Sequence, residues 1–311
     1  MLWPTVKDFG SRRVTAGLVT LGAPEAAKNP ENVDRAIAWL KEKHVDVRWA
    51  PNALGDGTFL AAAPSSLAND LHTMLGDPAI DLIITTGGGT NANGLLEFLD
   101  PRALASSPKP IIGLSNSTVV LNALTAASNV MTFHGPVLVW NFGSEDGIDE
   151  YTFDHLVRAV GGPPPVAITP EPSWRWLRSG VATGPTWGGN LWSFQQLLGT
   201  RYLPPMKGSV LFIEECFTEL HNVEAMLTHL KTANVLTDLA GLIVGVPLEC
   251  TESEMPDGRD FDDIVAGVCD GLGFPIVAGV NLGHTDRKTT IPIGAVAHLN
   301  SSANRLSFEV T

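Results

Sequence analysis

The sequence predicts an α/β protein: an N-terminal domain built on a parallel sheet, residues 1–165, and a smaller C-terminal domain that also mixes strands and helices, residues 166–311. Three observations predict it. Short apolar runs of strand length alternate with helical stripes through the first half, and such alternation gives a parallel sheet with helices on both faces. Turns rich in small residues follow two of those runs, at 85–91 and 113–117, where such sheets place their ligands. The stretch Gly161-Gly162-Pro163-Pro164-Pro165 then breaks the pattern, because prolines extend neither a helix nor a central strand.

Val14–Val19 reads as a short buried strand. Val33, Ala36, Ile37 and Leu40 share one helical face that begins near Pro30 or Asn32. Val45, Val47 and Trp49 alternate, as in a half-buried strand. Leu67, Leu71, Met74 and Leu75 form the next helical stripe, closed by Gly76-Asp77-Pro78. Ile80–Thr85 is a strand that runs into Gly87-Gly88-Gly89-Thr90-Asn91, and a helix with Leu95, Leu96 and Leu99 follows. Lys109-Pro110-Ile111-Ile112-Gly113 ends a further strand, and Val119–Ala127 reads as its helix. Beyond the linker, Glu171–Trp176 and Gly184–Asn190 read as loop-rich. Order returns with strand Val210–Ile213, helix Val223–Leu230 and strands Leu242–Val246 and Ile276–Val280. The chain carries no internal repeat and no low-complexity segment.

Composition narrows the function. An apolar content of 44% over 311 residues supports cores of normal size. Twenty basic against 33 acidic residues give a net charge of −13, which argues against nucleic acid or an anionic membrane surface as partner. Cys216, Cys250 and Cys269 are odd in number and widely spaced, so neither a disulfide framework nor a zinc site is expected. The first residues lack the charged start and apolar stretch of a signal peptide, and no apolar run reaches membrane-spanning length. A cytoplasmic enzyme or binding protein fits these bounds.

The candidate chemistry lies in the turns. In Gly113-Leu114-Ser115-Asn116-Ser117, a strand ends, a serine follows between small residues, and a helix begins. That is the layout of a nucleophile elbow, with Ser117 in place of the usual second glycine. The helix N-terminus offers free N–H groups to a developing oxyanion. The alternative is a simple strand-to-helix turn whose serines cap the helix. The triple glycine fits neither a dinucleotide fingerprint nor a Walker loop. Gly88 and Asn116 are instead candidate backbone donors of an oxyanion hole. A serine needs a base. His284 stands in the turn after the Ile276–Val280 strand, and His134, also at a strand end, is its rival. The base needs an orienting carboxylate. Glu214 and Glu215 close an apolar strand, and spacing alone does not choose between them.

Taken in order, Gly87–Asn91, Gly113–Thr118, His134-Gly135-Pro136, Gly188–Leu191, Gly199-Thr200, Leu211–Glu215, Gly283-His284-Thr285 and Ile291–Ala295 resemble the LD-carboxypeptidase serine peptidases. The asparagine after the glycine run and Gly-Gly-Asn-Leu make the chain more similar to the microcin C immunity branch than to the murein tetrapeptide branch. The resemblance implies a Ser–His–Glu hydrolase with no metal and no nucleotide cofactor. It places the nucleophile on Ser115, the acid on Glu214, the base on His284, and the oxyanion donors on Gly88 and Asn116. It also implies a β-rich C-terminal domain, a site between the domains, and a homodimer. The implied substrate is an amide in a small peptide or a peptidyl- or aminoacyl-nucleotide conjugate. Immunity-type members stack an aromatic residue on a nucleobase, for which Trp174, Trp176 and Trp187 are the candidates. A murein tetrapeptide carboxypeptidase is the alternative, and it would hold a terminal carboxylate through Arg175, Arg287 or Lys288. The alternative of another class is a noncatalytic nucleotide-binding module on Gly87–Gly89.

Overall fold

In the computed structural model, residues 1–162, 164–253 and 257–310 are described, so Pro163 of the expected linker lies outside the described residues. Five strands run parallel: β1 (Val14–Val19), β2 (Val45–Trp49), β3 (Leu82–Thr85), β4 (Ile111–Gly113) and β5 (Thr132–His134), in the spatial order 5-4-3-1-2. Every residue of β3, β4 and β5 is buried, as a sheet covered on both faces requires. The helices Pro30–Glu42 and Pro64–Gly76 each begin with proline in the first turn, where its missing N–H has no intrahelical partner to lose. The helix expected around Leu95 is a 3-10 helix, Ala92–Phe98, cut short where Asp100-Pro101 restricts the backbone.

The second sheet holds β6 (Val166–Ile168), β7 (Arg175–Arg178), β8 (Val181–Asn190), β9 (Val210–Glu214), β10 (Gly241–Gly245) and β11 (Ile276–Val280). The chain then forms β12 (Ile291–Ile293), β13 (Val296–Asn300) and β14 (Arg305–Glu309). The order is β6-β14-β13-β8-β9-β10-β11-β7, with β8 to β11 parallel and the outer strands antiparallel. This sheet is mixed and larger than the first. β12 does not join it. It crosses back and pairs antiparallel with β5, covering that edge of the first sheet, with Ile291 opposite His134. The buried side chains of both sheets form one contiguous apolar cluster.

The segments expected to be loop-rich are corrected by the structure. Gly184–Asn190 is the inner part of the ten-residue β8, in the middle of the sheet, and Arg175–Arg178 is the edge strand β7. The glycines there serve close approach rather than turning. A Cβ on Gly188 would stand 1.9 Å from the Phe212 carbonyl oxygen, and one on Gly189 would stand 2.3 Å from Thr118 Oγ1. Both glycines have positive φ, at 136° and 140°. Through them β8 is pressed against β9 and against the helix Ser117–Ser128 of the first sheet.

Candidate functional site

The carboxyl end of β4 turns sharply into the helix Ser117–Ser128. A Cβ on Gly113 would lie 2.8 Å from Ser117 Cβ, so the turn closes only with glycine on one side and a small residue on the other. Ser115 sits at the apex with φ of 61°, a left-handed conformation that costs a non-glycine residue about 1 kcal/mol or more. Its hydroxyl makes no hydrogen bond among the described residues and faces a cavity of about 360 Å³. The Asn116 side chain is spent inward: Oδ1 accepts from the Ala92 amide, and Nδ2 donates to Ser193 Oγ. Its backbone N–H has no partner among the described residues.

Gly88 lies against this turn. A Cβ there would stand 2.6 Å from Ser115 Oγ and 3.6 Å from the Asn116 nitrogen. Only glycine brings a backbone amide so near the serine. Its position is fixed from behind, where the Gly88 carbonyl accepts from Ala23 N at 2.8 Å and Gly22 is too close to carry a side chain.

The carboxylate comes from the end of β9. Glu214 is fully buried, and its Oε2 accepts from His284 Nδ1 at 2.7 Å. The carboxylate can only accept, so Nδ1 carries the proton and Nε2 is left basic. Two glycines make the room. A Cβ on Gly283 would lie 2.6 Å from Glu214 Oε2, and one on Gly245 would lie 3.0 Å from Glu214 Cβ. Burial pushes the Glu214 carboxyl up, but the His284 charge and hydrogen bond outweigh it and hold the pKa below the usual range. Burial likewise pulls His284 down, and the Glu214 charge and hydrogen bond win, raising its pKa above the ordinary 6.5. His284 lines the same cavity as Ser115 and Gly88.

Glu214 is the last residue of β9 and Glu215 the first beyond it, and their hydrogen-bond partners separate the two. Glu215 accepts from Asn190 Nδ2, Trp192 N and Cys216 N, and so anchors the end of β8. His134 is the rival that the structure sets apart. Its ring is buried edge-on to Phe212, burial pulls its pKa down to about 4, and it does not line the cavity.

The three tryptophans singled out from sequence are a correction. Trp187 is a core residue of β8, 1% exposed, and Trp174 is buried in the same apolar cluster. Trp176 lies on the edge strand and donates to Asn304 Oδ1 at 2.8 Å. None lines the cavity beside Ser115. The family resemblance points to an aromatic between the linker and Gly188, but the fold carries Trp176 and Trp187 into strands instead. The aromatics at the cavity are Trp140 and Phe217. Trp140 is half exposed on the turn Leu138–Phe142 and donates to Glu25 Oε2, and Phe217 is 65% exposed with φ of 52°. Trp140 sits in an unbroken apolar run that reads as core, so the sequence carries no signal for its exposure.

A buried imidazole–carboxylate pair opening on the cavity of an elbow serine belongs to hydrolases that work by acyl transfer. Comparison with known proteins makes the class specific. The model of the LD-carboxypeptidase N-terminal domain matches residues 17–135, and that of the C-terminal domain matches residues 183–299. The chain belongs to the LD-carboxypeptidase family of serine peptidases. A probable murein peptide carboxypeptidase of Bacillus subtilis (strain 168) is 26% identical over 290 residues, covering 93% of this chain and 89% of its own. The microcin C7 self-immunity protein MccF of Escherichia coli is 25% identical over 308 residues, covering 90% and 88%. A solved structure of MccF in complex with aspartyl sulfamoyl adenosine superposes with a TM-score of 0.92 at 23% identity, covering 100% of this chain and 99% of that one.

Proposed function

We propose that the chain is a serine carboxypeptidase or amidohydrolase in which Ser115 is the nucleophile, His284 the base and Glu214 the acid. One observation carries this reading: the 2.7 Å bond from His284 to Glu214 belongs to an imidazole that shares a cavity with Ser115. His284 Nε2 takes the hydroxyl proton as Ser115 Oγ attacks the amide carbonyl. Glu214 fixes the tautomer and stabilises the imidazolium. The Gly88 and Asn116 amides receive the oxyanion, and each such donor is typically worth about 3 kcal/mol. His284 then protonates the leaving amine, and water attacks the acyl-enzyme with the same base. In this reading, residues 1–165 carry the nucleophile and residues 166–311 carry the acid and the base. A homodimer is the assembly the family resemblance implies, and the composition and scattered cysteines fit a cytoplasmic protein. Among the described residues no helix is long and apolar enough to cross a membrane.

The acid limb of activity tests the pairing. Hydrolysis needs neutral His284, so kcat/KM falls as pH drops through its pKa, and that pKa lies above the ordinary histidine value. Glu214→Gln removes the charge that raises it, so the limb moves to lower pH while the rate falls. A limb that stays in place in Glu214→Gln would take Glu214 out of this role.

Two substrate classes follow from the relatives: a murein peptide, and an aminoacyl- or peptidyl-nucleotide conjugate such as the one MccF binds. The exposed rings of Trp140 and Phe217 at the cavity favour the conjugate, since stacking on a base is worth about 1–3 kcal/mol. Trp140→Ala is expected to raise KM for an aminoacyl sulfamoyl adenosine about 5- to 200-fold and to leave a murein tetrapeptide nearly untouched. Trp187→Ala instead leaves a core cavity costing about 3–5 kcal/mol, lowers the melting temperature and affects both substrates alike. Equal KM changes for the two substrates in Trp140→Ala would return the reading to murein peptide. Incubating the protein with each substrate and following the released amine by mass spectrometry tests the function itself. Hydrolysis of neither would overturn it.

A further inference from the structure

We propose that Lys288 is the anion anchor of this cavity, its ammonium receiving a carboxylate of the substrate. The proposal rests on the hydrolase reading above and adds the substrate charge that the site selects. Lys288 is 1% exposed and lines the cavity with Ser115 and His284. Its Nζ is buried and makes no hydrogen bond among the described residues. A buried ammonium without a partner is unfavourable, and a bound anion removes the penalty. The acids around it do not meet the need within the protein. Glu214 Oε2 is taken by His284, its Oε1 is buried without a hydrogen-bond partner among the described residues, and neither Glu214 nor Asp286 hydrogen-bonds to Nζ. Burial pulls the Lys288 pKa down to about 8, and the charges of Glu214 and Asp286 oppose the fall.

The other cations considered from sequence are already spent. Arg175 pairs with Asp262 at 2.6 Å, while Arg287 pairs with Glu171 at 2.9 Å and stacks on Tyr151. Among the described residues lining the cavity, Lys288 is the one ammonium or guanidinium group. The backbone beneath it is pinned, since Lys288 N donates to Thr152 Oγ1 at 2.8 Å and Thr289 N donates to Asn281 O at 2.6 Å. A charge held in place by its own backbone discriminates between a carboxylate and a neutral twin.

The carboxylate has two possible sources, which one experiment separates. A peptide carries it on the leaving residue, and an aspartyl conjugate carries it on the acyl side. Binding to Ser115→Ala protein is measured by calorimetry with two matched pairs: N-acetyl-L-lysyl-D-alanine against its C-terminal amide, and aspartyl against asparaginyl sulfamoyl adenosine. In at least one pair the acid is expected to bind about 10- to 100-fold more tightly. That ratio falls to about 1 on adding Lys288→Met and is largely kept with Lys288→Arg. Lys288→Gln serves if the Met variant does not fold. The pair that responds identifies the source. No acid preference in either pair, a preference that survives loss of the charge, or equal weakening of acid and neutral twins would overturn the proposal. Failure of the hydrolase reading looks different: protein with Ser115 intact binds the acid probes and turns over none.

Discussion

Ser115→Ala is expected to lower kcat by about four to six orders of magnitude and to leave the melting temperature within a degree or two of the parent. The chemical half of this follows from the role of the hydroxyl. Without Oγ no acyl-enzyme forms, and what remains comes from the oxyanion donors acting on a bound substrate. The structural half follows from the position. The hydroxyl makes no hydrogen bond among the described residues, and alanine removes one atom from a half-buried turn. Neither a core cavity nor a stranded polar partner is created, and those are what make single substitutions costly. A variant that keeps more than a tenth of the parent rate would remove Ser115 from the nucleophile role.

His284→Ala is expected to match that loss, and the Ser115→Ala/His284→Ala double variant to be no worse than either single one. A nucleophile and its base act on one proton transfer, so removing the second member after the first costs little more. The stability effect differs. His284→Ala leaves the fully buried Glu214 carboxylate without its hydrogen-bond donor, and breaking such a pair costs about 3–5 kcal/mol. The melting temperature therefore falls in this variant and not in Ser115→Ala. At a pH near that of the unfolded carboxyl, Glu214 protonates at smaller cost, and the stability gap to the parent narrows. Losses that multiply in the double variant would mean the two residues act independently.

Much of the first sheet was legible because β1, β3 and β4 are short apolar runs between helices with one apolar stripe. The elbow was legible for a related reason: Gly113, Ser115 and Ser117 are spaced as the sharp turn needs, and Ser115 adopts the left-handed conformation there. Only the end of β5 was legible, at His134, and β12 escaped because its three residues gain their meaning from the pairing of Ile291 with His134 across about 150 residues of chain. β8 was misread because its glycines answer to Phe212 and Thr118, which are distant in sequence. Glu214 and Glu215 were indistinguishable in the sequence because both stand at the end of one apolar run, and only the folded chain sends one to His284 and the other to Asn190 and Trp192. Lys288 read as one of three available cations, and burial without a partner is a property of the folded chain alone.

The central claim is that Ser115 is a hydroxyl activated by His284. Reaction with a fluorophosphonate probe, followed by mapping of the modified peptide, tests it most directly. The expected result is one modified residue, Ser115, with labelling abolished in Ser115→Ala and slowed by orders of magnitude in His284→Ala. Folded protein that leaves Ser115 unmodified, or that carries the probe on another residue, would contradict the account.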